Sequence, residues 1–124
     1  MTTMTVIQIN VPYPMLLHRT DFAGKNQIHT EIYFICSDTA HHNVFGKVPL
    51  SVWLEALGKY LAEVHLHDNH GEADEHLPVG EGTFDFKQFF SLLSERKLSP
   101  IYTLEPHEEE HLWRGMEAVK QYVK

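Results

Sequence analysis

Residues 62–86 read AEVHLHDNHGEADEHLPVGEGTFDF. Apolar and polar side chains alternate over AEVHLH, which predicts a strand, and a polar loop with a glycine-containing turn follows it. Asp85 with Gln88 three residues later matches a capping box and predicts a helix start. One face of that helix is apolar and consists of Phe86, Phe89, Phe90 and Leu93. The stretch is therefore a strand–loop–helix unit of an α/β protein.

The same rhythm recurs along the chain. Strands are predicted at 5–10, 31–36, 62–67 and 100–105. Helices are predicted from Leu50 and from near His107, whereas residues 15–30 show no clean period and are interpreted as irregular or weakly helical. Strands that alternate with helices are typical of parallel sheets, so we expect one α/β domain over residues 1–124 built on four parallel strands.

Composition limits the classes of partner. A hydrophobic content of 43% is that of a globular domain, and a net charge of −7 disfavours nucleic acid. No apolar run is long enough for a membrane span, and the N-terminus MTTMTVIQIN lacks the features of a secretion signal. With a single cysteine, Cys36, these features predict a cytoplasmic protein without an internal disulfide.

Polar side chains collect where the predicted strands end. They are Asp38 and His41 after the second strand, His65 and His67 in the third, Asp74 and His76 beyond it, and Glu105 at the end of the fourth. The carboxyl ends of parallel strands meet at one edge of a sheet, and active sites of such proteins lie there. We therefore expect these side chains to form one site.

The side-chain types at this edge favour a metal ion. Imidazole and carboxylate together suit Mn²⁺, Zn²⁺ or Fe²⁺, and the lack of a second cysteine argues against a structural thiolate zinc site. His65 and His67 share one face of their strand because side chains alternate. A lone histidine is more often an ordinary surface residue, and the remaining histidines are interpreted so: His18, His29, His42, His70 and His111, with His107 at a helix start.

Three segments resemble a known family. CSDTAHHNVFG, EVHLHDNHGEADEHLPVGEGTFDF and TLEPH are similar, in order and spacing, to the C-terminal half of the xylose isomerase-like TIM barrels. This superfamily includes sugar and sugar-phosphate isomerases and epimerases and the abasic-site nucleases of AP endonuclease family 2. The resemblance covers about residues 31–123 and implies a partial (β/α)8 barrel, roughly strands five to eight.

The resemblance also implies roles for individual residues. Asp38, His65 and Glu105 match the residues that hold the central divalent metal of the family. His41, Asp74 and His76 match the set that binds an additional metal in the trinuclear nucleases. In the isomerases the residue matching Glu105 also exchanges a proton with substrate, which makes Glu105 the candidate catalytic residue.

The chain departs from the family in its first strand. If VIQINVPYP is the fifth barrel strand, Ile9 stands where the family has a bridging glutamate, and an aliphatic side chain cannot bind metal. A complete barrel needs about 250 residues. Half a barrel leaves sheet edges and an apolar face uncovered, which a homo-oligomer that completes the barrel would hide.

Three functions remain open. The first is metal-dependent isomerisation or epimerisation of a sugar or sugar phosphate. The second is metal-dependent hydrolysis of a phosphodiester, with a small molecule favoured over DNA because the chain is acidic. The third is a non-catalytic half-barrel that binds metal and self-associates.

Overall fold

The computed structural model describes the backbone of residues 3–8, 15–23 and 29–34 and all of residues 35–123. Five strands form one sheet in sequence order: β1 (Thr3–Gln8), β2 (Met15–Ala23), β3 (His29–Asp38), β4 (Leu61–Leu66) and β5 (Ile101–Leu104). Strands β3, β4 and β5 are parallel, whereas β1 and β2 run antiparallel to their neighbours.

Helices follow each parallel strand. They are α1 (Thr39–Phe45), α2 (Leu50–Leu57), a 3-10 turn (Gly58–Tyr60), α3 (Phe86–Glu95) and α4 (Glu109–Lys120). This order confirms the predicted βα rhythm over the three parallel strands. Their assignment to particular strands of a barrel stays a prediction. No helix in the described part of the chain has the length and apolar character needed to cross a membrane.

The hydrophobic core lies between the helices and one face of the parallel sheet. Ile35, Val64 and Leu66 point from the strands into this core. The predicted stripe of α3 packs against them and is buried: Phe86, Phe89, Phe90 and Leu93. Each such side chain contributes about 1.5–3 kcal/mol when it leaves water. Asp85 accepts a hydrogen bond from the Gln88 N–H at 2.8 Å, so the predicted helix cap is also formed.

The opposite face of the parallel sheet is polar. Strand side chains alternate, so residues two apart along a strand share this face. It carries Cys36, Asp38, Glu63, His65, Thr103 and Glu105. In a closed barrel the corresponding face lines the interior, and the active site lies at its carboxyl end. The fold thus places the chemically active side chains on one surface, away from the helices.

The N-terminal region differs from the prediction. Residues 15–23 form a nine-residue strand rather than irregular or weakly helical structure. Strand β2 pairs antiparallel with both β1 and β3, so β1 points in the same direction as β3 but is separated from it by β2. Only β3, β4 and β5 are therefore joined by parallel pairing, three strands instead of four. The physical reason is length: the connections 9–14 and 24–28 are shorter than the roughly dozen residues that a parallel crossover requires, whereas antiparallel neighbours need only short ones.

Among the described strands, β1 and β5 lie at the edges of the sheet. The outer edge of β3 is paired with β2, where the sequence placed the predicted strand at 5–10. At the other edge, Ile101 is 69% exposed, and two large side chains of the neighbouring α4, Trp113 and Met116, are also exposed. Ile101 lies on the polar face of the sheet, in register with Glu63, whereas α4 packs on the opposite face, so these exposed side chains lie on two sides of the strand edge. An unpaired strand edge is a candidate contact surface for another chain.

Candidate metal centre

Three of the predicted metal ligands meet where the three parallel strands end. Asp38 ends β3 and is in register with His65 of β4, and Glu105 directly follows β5. One ligand atom from each of the three lies within 4.8 Å of the others. His65 Nδ1 and Glu105 Oε1 are 2.7 Å apart. These residues form what we call the upper group.

The other three predicted ligands lie beside the upper group. Asp74 Oδ2 is 3.0 Å from His41 Nε2 and 3.2 Å from His76 Nε2. His41 in turn approaches the upper group, because its Nδ1 is 3.5 Å from Asp38 Oδ2. The structure therefore brings all six predicted metal ligands into one cluster. Their roles as metal ligands stay a prediction.

His67 joins the two groups and was not among the predicted ligands. It is 1% exposed, and its ring stacks on that of His76 with centroids 4.1 Å apart. Ligand atoms of His67, Asp74 and His76 lie within 4.8 Å of one another, which defines the lateral group. The H-x-H spacing was the available signal, since it put His65 and His67 on one strand face. His67 was therefore expected at the site, but only His65 was predicted to bind metal.

One atom of His67 bears directly on metal binding. Its Nε2 lies 2.8 Å from Asp38 Oδ1, whereas its buried Nδ1 has no hydrogen-bond partner among the described residues. The nearest carboxylate oxygen recorded for that Nδ1, Asp74 Oδ1, is 3.7 Å away, beyond hydrogen-bond distance. A buried polar atom without a partner costs about 1–3 kcal/mol. A cation between His67, Asp74 and His76 would satisfy it, so the donor set fits a metal ion.

Asp38 and His67 each stabilise the charged form of the other. Burial alone would raise the pKa of Asp38, but the hydrogen bond from His67 and the His41 backbone N–H outweigh it and hold this pKa below its usual value. Burial would lower the pKa of His67, but the Asp38 carboxylate raises it above the usual value. The pKa of Asp74 is likewise held low, mainly by His41 against the effect of burial. Asp38 and Asp74 therefore stay ionised at neutral pH, as metal ligands must.

Local structure fixes the Asp38 and His67 side chains. Asp38 is the N-cap of α1 and accepts a hydrogen bond from the His41 N–H at 2.9 Å. The Thr39 hydroxyl donates to the His67 carbonyl at 2.7 Å, which ties the end of β3 to the chain leaving β4. Residues 38–41 (DTAH) therefore cap helix α1, connect the ends of two strands and contribute Asp38 and His41 to the candidate site.

The loop that carries Asp74 and His76 is organised around Asp68. The fully buried Asp68 carboxylate accepts four backbone N–H bonds, from Asn69, Gly80, Gly82 and Phe84, at 2.8–3.1 Å. A Cβ on Gly82 would lie 2.1 Å from the Asn69 carbonyl oxygen. The glycine turn therefore lets backbone close around Asp68, and its role is structural.

The loop also holds His76 in an unusual conformation. His76 has φ +54°, in the left-handed region that non-glycine residues adopt infrequently. Its ring is packed between those of His67 and His107, with centroids 4.1 and 4.0 Å away. The Nδ1 of His76 lies 3.3 Å from the Glu105 carbonyl oxygen. These contacts direct Nε2 toward Asp74.

The remaining histidines have mixed outcomes. His70 pairs with the exposed Glu75 outside the cluster, and burial lowers the pKa of His42. His107 contributes its ring to the stack on His76. The side chains of His18 and His29 lie outside the described residues, as does Ile9. Since β2 separates β1 from β3, the basis for placing Ile9 at the bridging glutamate position is lost.

Comparison with known proteins agrees with this geometry. The profile of the family described as xylose isomerase-like TIM barrel matches residues 26–122. The chain belongs to this family. The match includes the three parallel strands and every residue of the upper and lateral groups. A partial barrel of this family is consistent with the three-stranded parallel sheet, with helices on one face and the polar cluster on the other.

The similar proteins are longer than this xylose isomerase-like chain. A protein of Methanocaldococcus jannaschii is 31% identical over 91 residues, which are 73% of this chain and 31% of that protein. A second protein of that organism is 42% identical over 45 residues, covering 36% of this chain and 17% of its own length. The crystal structure of a D-tagatose 3-epimerase-like protein matches with a TM-score of 0.64 and 29% identity, over 73% of this chain and 34% of that chain. The chain thus spans about a third of the length of the first relative and of the solved structure.

Proposed function

We propose that the chain carries the metal-binding and proton-transfer half of a sugar or sugar-phosphate isomerase or epimerase site. The observation that supports this most is the upper group, in which Asp38, His65 and Glu105 converge at the ends of three adjacent parallel strands. The similarity to a D-tagatose 3-epimerase-like protein agrees with a sugar substrate. The net charge of −7 favours a small substrate over a nucleic acid.

Asp38, His65 and Glu105 would hold a divalent ion, with Mn²⁺, Zn²⁺ and Fe²⁺ all suited to the mixed oxygen and nitrogen donors. When bound, such an ion supplies Lewis-acid stabilisation of charge on neighbouring carbonyl and hydroxyl oxygens. The metal ion itself does not remove the proton from the substrate carbon, so a side chain of the protein has to do so. In this chain Glu105 would be that side chain.

Glu105 is placed to act as the base. Its Oε1 is held by His65 Nδ1 at 2.7 Å, and Oε2 is 3.7 Å from His67 Nε2. The side chain is about one-third exposed, so a substrate carbon can reach it. Glu105 would take the proton from the carbon next to the substrate carbonyl and return it to the neighbouring carbon on the same face, as an isomerisation requires. Epimerisation would need a second acid on the opposite face of the substrate, so Glu105 would supply one of the two proton-transfer groups. General acid–base groups of this kind contribute about 10²–10⁴-fold in rate.

Deuterium wash-in tests this proposal. The chain is incubated in D₂O with Mn²⁺ and ketoses or ketose phosphates, and incorporation next to the carbonyl is followed by NMR. We expect metal-dependent exchange that falls by about 10²–10⁴-fold in Glu105→Gln. Glu109→Gln, an exposed residue in the first turn of α4, is the matched control. Exchange that is absent, or equal in both variants, would reject the assignment of Glu105.

A second function is favoured by the lateral group. The unsatisfied His67 Nδ1 beside Asp74 and His76 provides a second set of ligand atoms next to the first. Adjacent metal positions suit hydrolysis of a phosphodiester, in which one ion activates water and another stabilises the leaving oxygen. Release of nitrophenol from bis(p-nitrophenyl) phosphate, lost in Asp74→Asn but not in Glu75→Gln, would favour this function. Metal binding without either activity would indicate a non-catalytic half-barrel.

We also propose that the chain self-associates through its β5 edge. Strand β5 pairs only with β4 among the described strands, and exposed apolar side chains lie on both sides of its open edge, Ile101 on the polar face and Trp113 on α4. A second copy paired along this edge would cover it and complete more of a barrel. Sedimentation equilibrium should show a dimer that Trp113→Glu dissociates, whereas a monomer at micromolar concentration would contradict the proposal.

A further inference from the structure

A third set of donor atoms lies one layer beneath the upper group on the polar face of the sheet. Cys36 precedes Asp38 by two residues on β3, and Glu63 precedes His65 by two residues on β4. One ligand atom from each of Cys36, Glu63 and His65 lies within 4.8 Å of the others. We call these three residues the lower group. They are distinct from the ligands that the family resemblance implies, apart from the shared His65.

The two nitrogens of His65 face different groups. Its Nδ1 lies 2.7 Å from Glu105 Oε1 in the upper group, and its Nε2 lies 3.3 Å from Glu63 Oε1 in the lower group. Glu63 itself is held by the Thr103 hydroxyl, which donates to Oε1 at 2.7 Å. An outer hydrogen bond that orients a carboxylate is a regular feature of protein metal sites. The lower group thus has an oriented carboxylate, an imidazole nitrogen and a sulfur from two neighbouring strands.

The cysteine makes this set chemically different from the upper group. The side chain of Cys36 is buried, and its recorded hydrogen bond is a weak S–H contact, 3.9 Å from Sγ to the Ser37 carbonyl oxygen. A sulfur ligand selects thiophilic ions, whereas carboxylate and imidazole alone also accept harder ions such as Mn²⁺. The ligand atoms of Cys36, Glu63 and His65 all lie within 4.8 Å of one another, a range that includes the separations set by Zn–S and Zn–N bonds of about 2.3 and 2.0 Å.

We propose that Cys36, Glu63 and His65 form a second metal site that takes a thiophilic divalent cation such as Zn²⁺, Co²⁺ or Cd²⁺. The site lies below the upper group and shares His65 with it. A thiophilic ion bound there engages His65 Nε2 and so competes with, or modifies, binding of a harder ion through His65 Nδ1. This makes the identity of the available metal a determinant of which site is filled.

Co²⁺ spectroscopy tests the proposal directly. The metal-free chain is titrated with Co²⁺, and the near-ultraviolet thiolate-to-cobalt charge-transfer band is recorded per chain at two protein concentrations. We expect a saturable band that does not depend on protein concentration. The band should disappear in Cys36→Ser and persist in Glu105→Gln, which leaves all three residues of the lower group in place. Far-ultraviolet circular dichroism of each variant shows that it is folded.

Two further variants test the geometry. Thr103→Val removes the hydroxyl that holds Glu63 and should weaken the Co²⁺ affinity read from this band by about 10–100-fold. Thr83→Val, which alters a hydroxyl in the distant 68–84 loop, is the control. Absence of the band in the folded wild-type chain would overturn the proposal. A band that is unchanged in Glu63→Gln and Thr103→Val would also overturn it, because the thiolate would then bind Co²⁺ without the other residues of the lower group. A band per chain that grows with protein concentration would overturn it for the same reason.

The outcome is separable from that of the proposed function. The charge-transfer band reports sulfur bound to metal, whereas deuterium exchange with Mn²⁺ reports Glu105 and the upper group. Loss of exchange with the band intact would reject the isomerase proposal alone. Exchange without a band would reject the lower site alone.

Discussion

The Nε2 atom of His67 lies 2.8 Å from one oxygen of Asp38 and 2.9 Å from the other. This contact connects the upper group, through Asp38, with the lateral group, through the remaining nitrogen of His67. A metal-binding histidine usually donates its second ring N–H to a carboxylate, which fixes its tautomer. Asp38 can play this part for His67 and leave Nδ1 available to a cation.

Removing His67 should destabilise the metal-free chain. His67→Ala leaves the buried Asp38 carboxylate without its imidazole partner, and loss of one member of a buried charged pair costs about 3 kcal/mol or more. Urea denaturation in the presence of a chelator measures the change. His70→Ala, which removes an exposed imidazole paired with Glu75, should change the stability by less than about 0.5 kcal/mol. Equal effects of the two substitutions would show that the Asp38 contact contributes little.

The same pair predicts how stability depends on pH. The folded pKa of His67 is raised, so its contribution is present below the usual value of 6.5 and is lost as pH rises through the higher folded pKa. The folded pKa of Asp38 is lowered, so its contribution is present above the usual value of 3.8 and is lost as pH falls through the lower folded pKa. Both contributions are complete between pH 3.8 and 6.5.

Chelator-treated protein should therefore lose stability as pH rises from about 6.5 toward the alkaline side. The measurement is a series of urea transitions across this range, with His67→Gln as comparison. The variant should show a flatter profile, because glutamine does not titrate. A wild-type profile as flat as that of the variant would contradict the raised pKa of His67.

Asp68 should be essential for the loop that carries Asp74 and His76. Asp68→Asn replaces a carboxylate oxygen that accepts backbone N–H bonds by an amide, and hydrogen bonds to a charged group contribute about 1.5–3 kcal/mol each. We expect a loss of about 3 kcal/mol in unfolding free energy. Asp85→Asn is the control, because asparagine caps a helix about as well as aspartate. A neutral effect of Asp68→Asn would mean that the turn is held by other contacts.

Cys36 should be unreactive in the metal-free folded chain. Burial, together with the nearby carboxylates of Glu63, Asp38 and Glu105, raises the pKa of its thiol to about 12. Very little thiolate then exists at pH 8, and the thiolate is the reactive form. Reaction with a disulfide reagent should be slow in buffer and fast in denaturant, where the thiol is exposed. Rapid reaction of the folded chain would contradict this pKa.

Much of the site was predictable because it depends on local pattern. Alternation placed AEVHLH on a strand, and the carboxyl ends of neighbouring parallel strands must lie together, so Asp38, His65 and Glu105 were expected to meet. The helix face of Phe86, Phe89, Phe90 and Leu93 followed from its spacing in the same way. These predictions needed no information about distant pairing.

The remaining features depend on contacts that sequence pattern does not reveal. Strand β2 was missed because residues 15–23 lack a clean alternation, and its partners are chosen by pairing across the sheet. Asp68 was not singled out, because its four N–H donors come from residues up to 16 positions away. His67 was not included as a ligand, because only the structure shows that its Nδ1 is buried without a partner.

Mn²⁺ binding to the chelator-treated chain tests the central claim most directly. Isothermal titration calorimetry is carried out on the wild-type chain, on Glu105→Gln and on the control Glu109→Gln. The comparison distinguishes Mn²⁺ binding at the upper group from nonspecific binding to acidic side chains, and Mn²⁺ is not a preferred ion of the sulfur-containing lower group. We predict saturable binding to the wild type and the control, weakened by about tenfold or more in Glu105→Gln. Absence of Mn²⁺ binding by the folded wild-type chain, or equal affinity in all three proteins, would contradict a metal centre built on Asp38, His65 and Glu105.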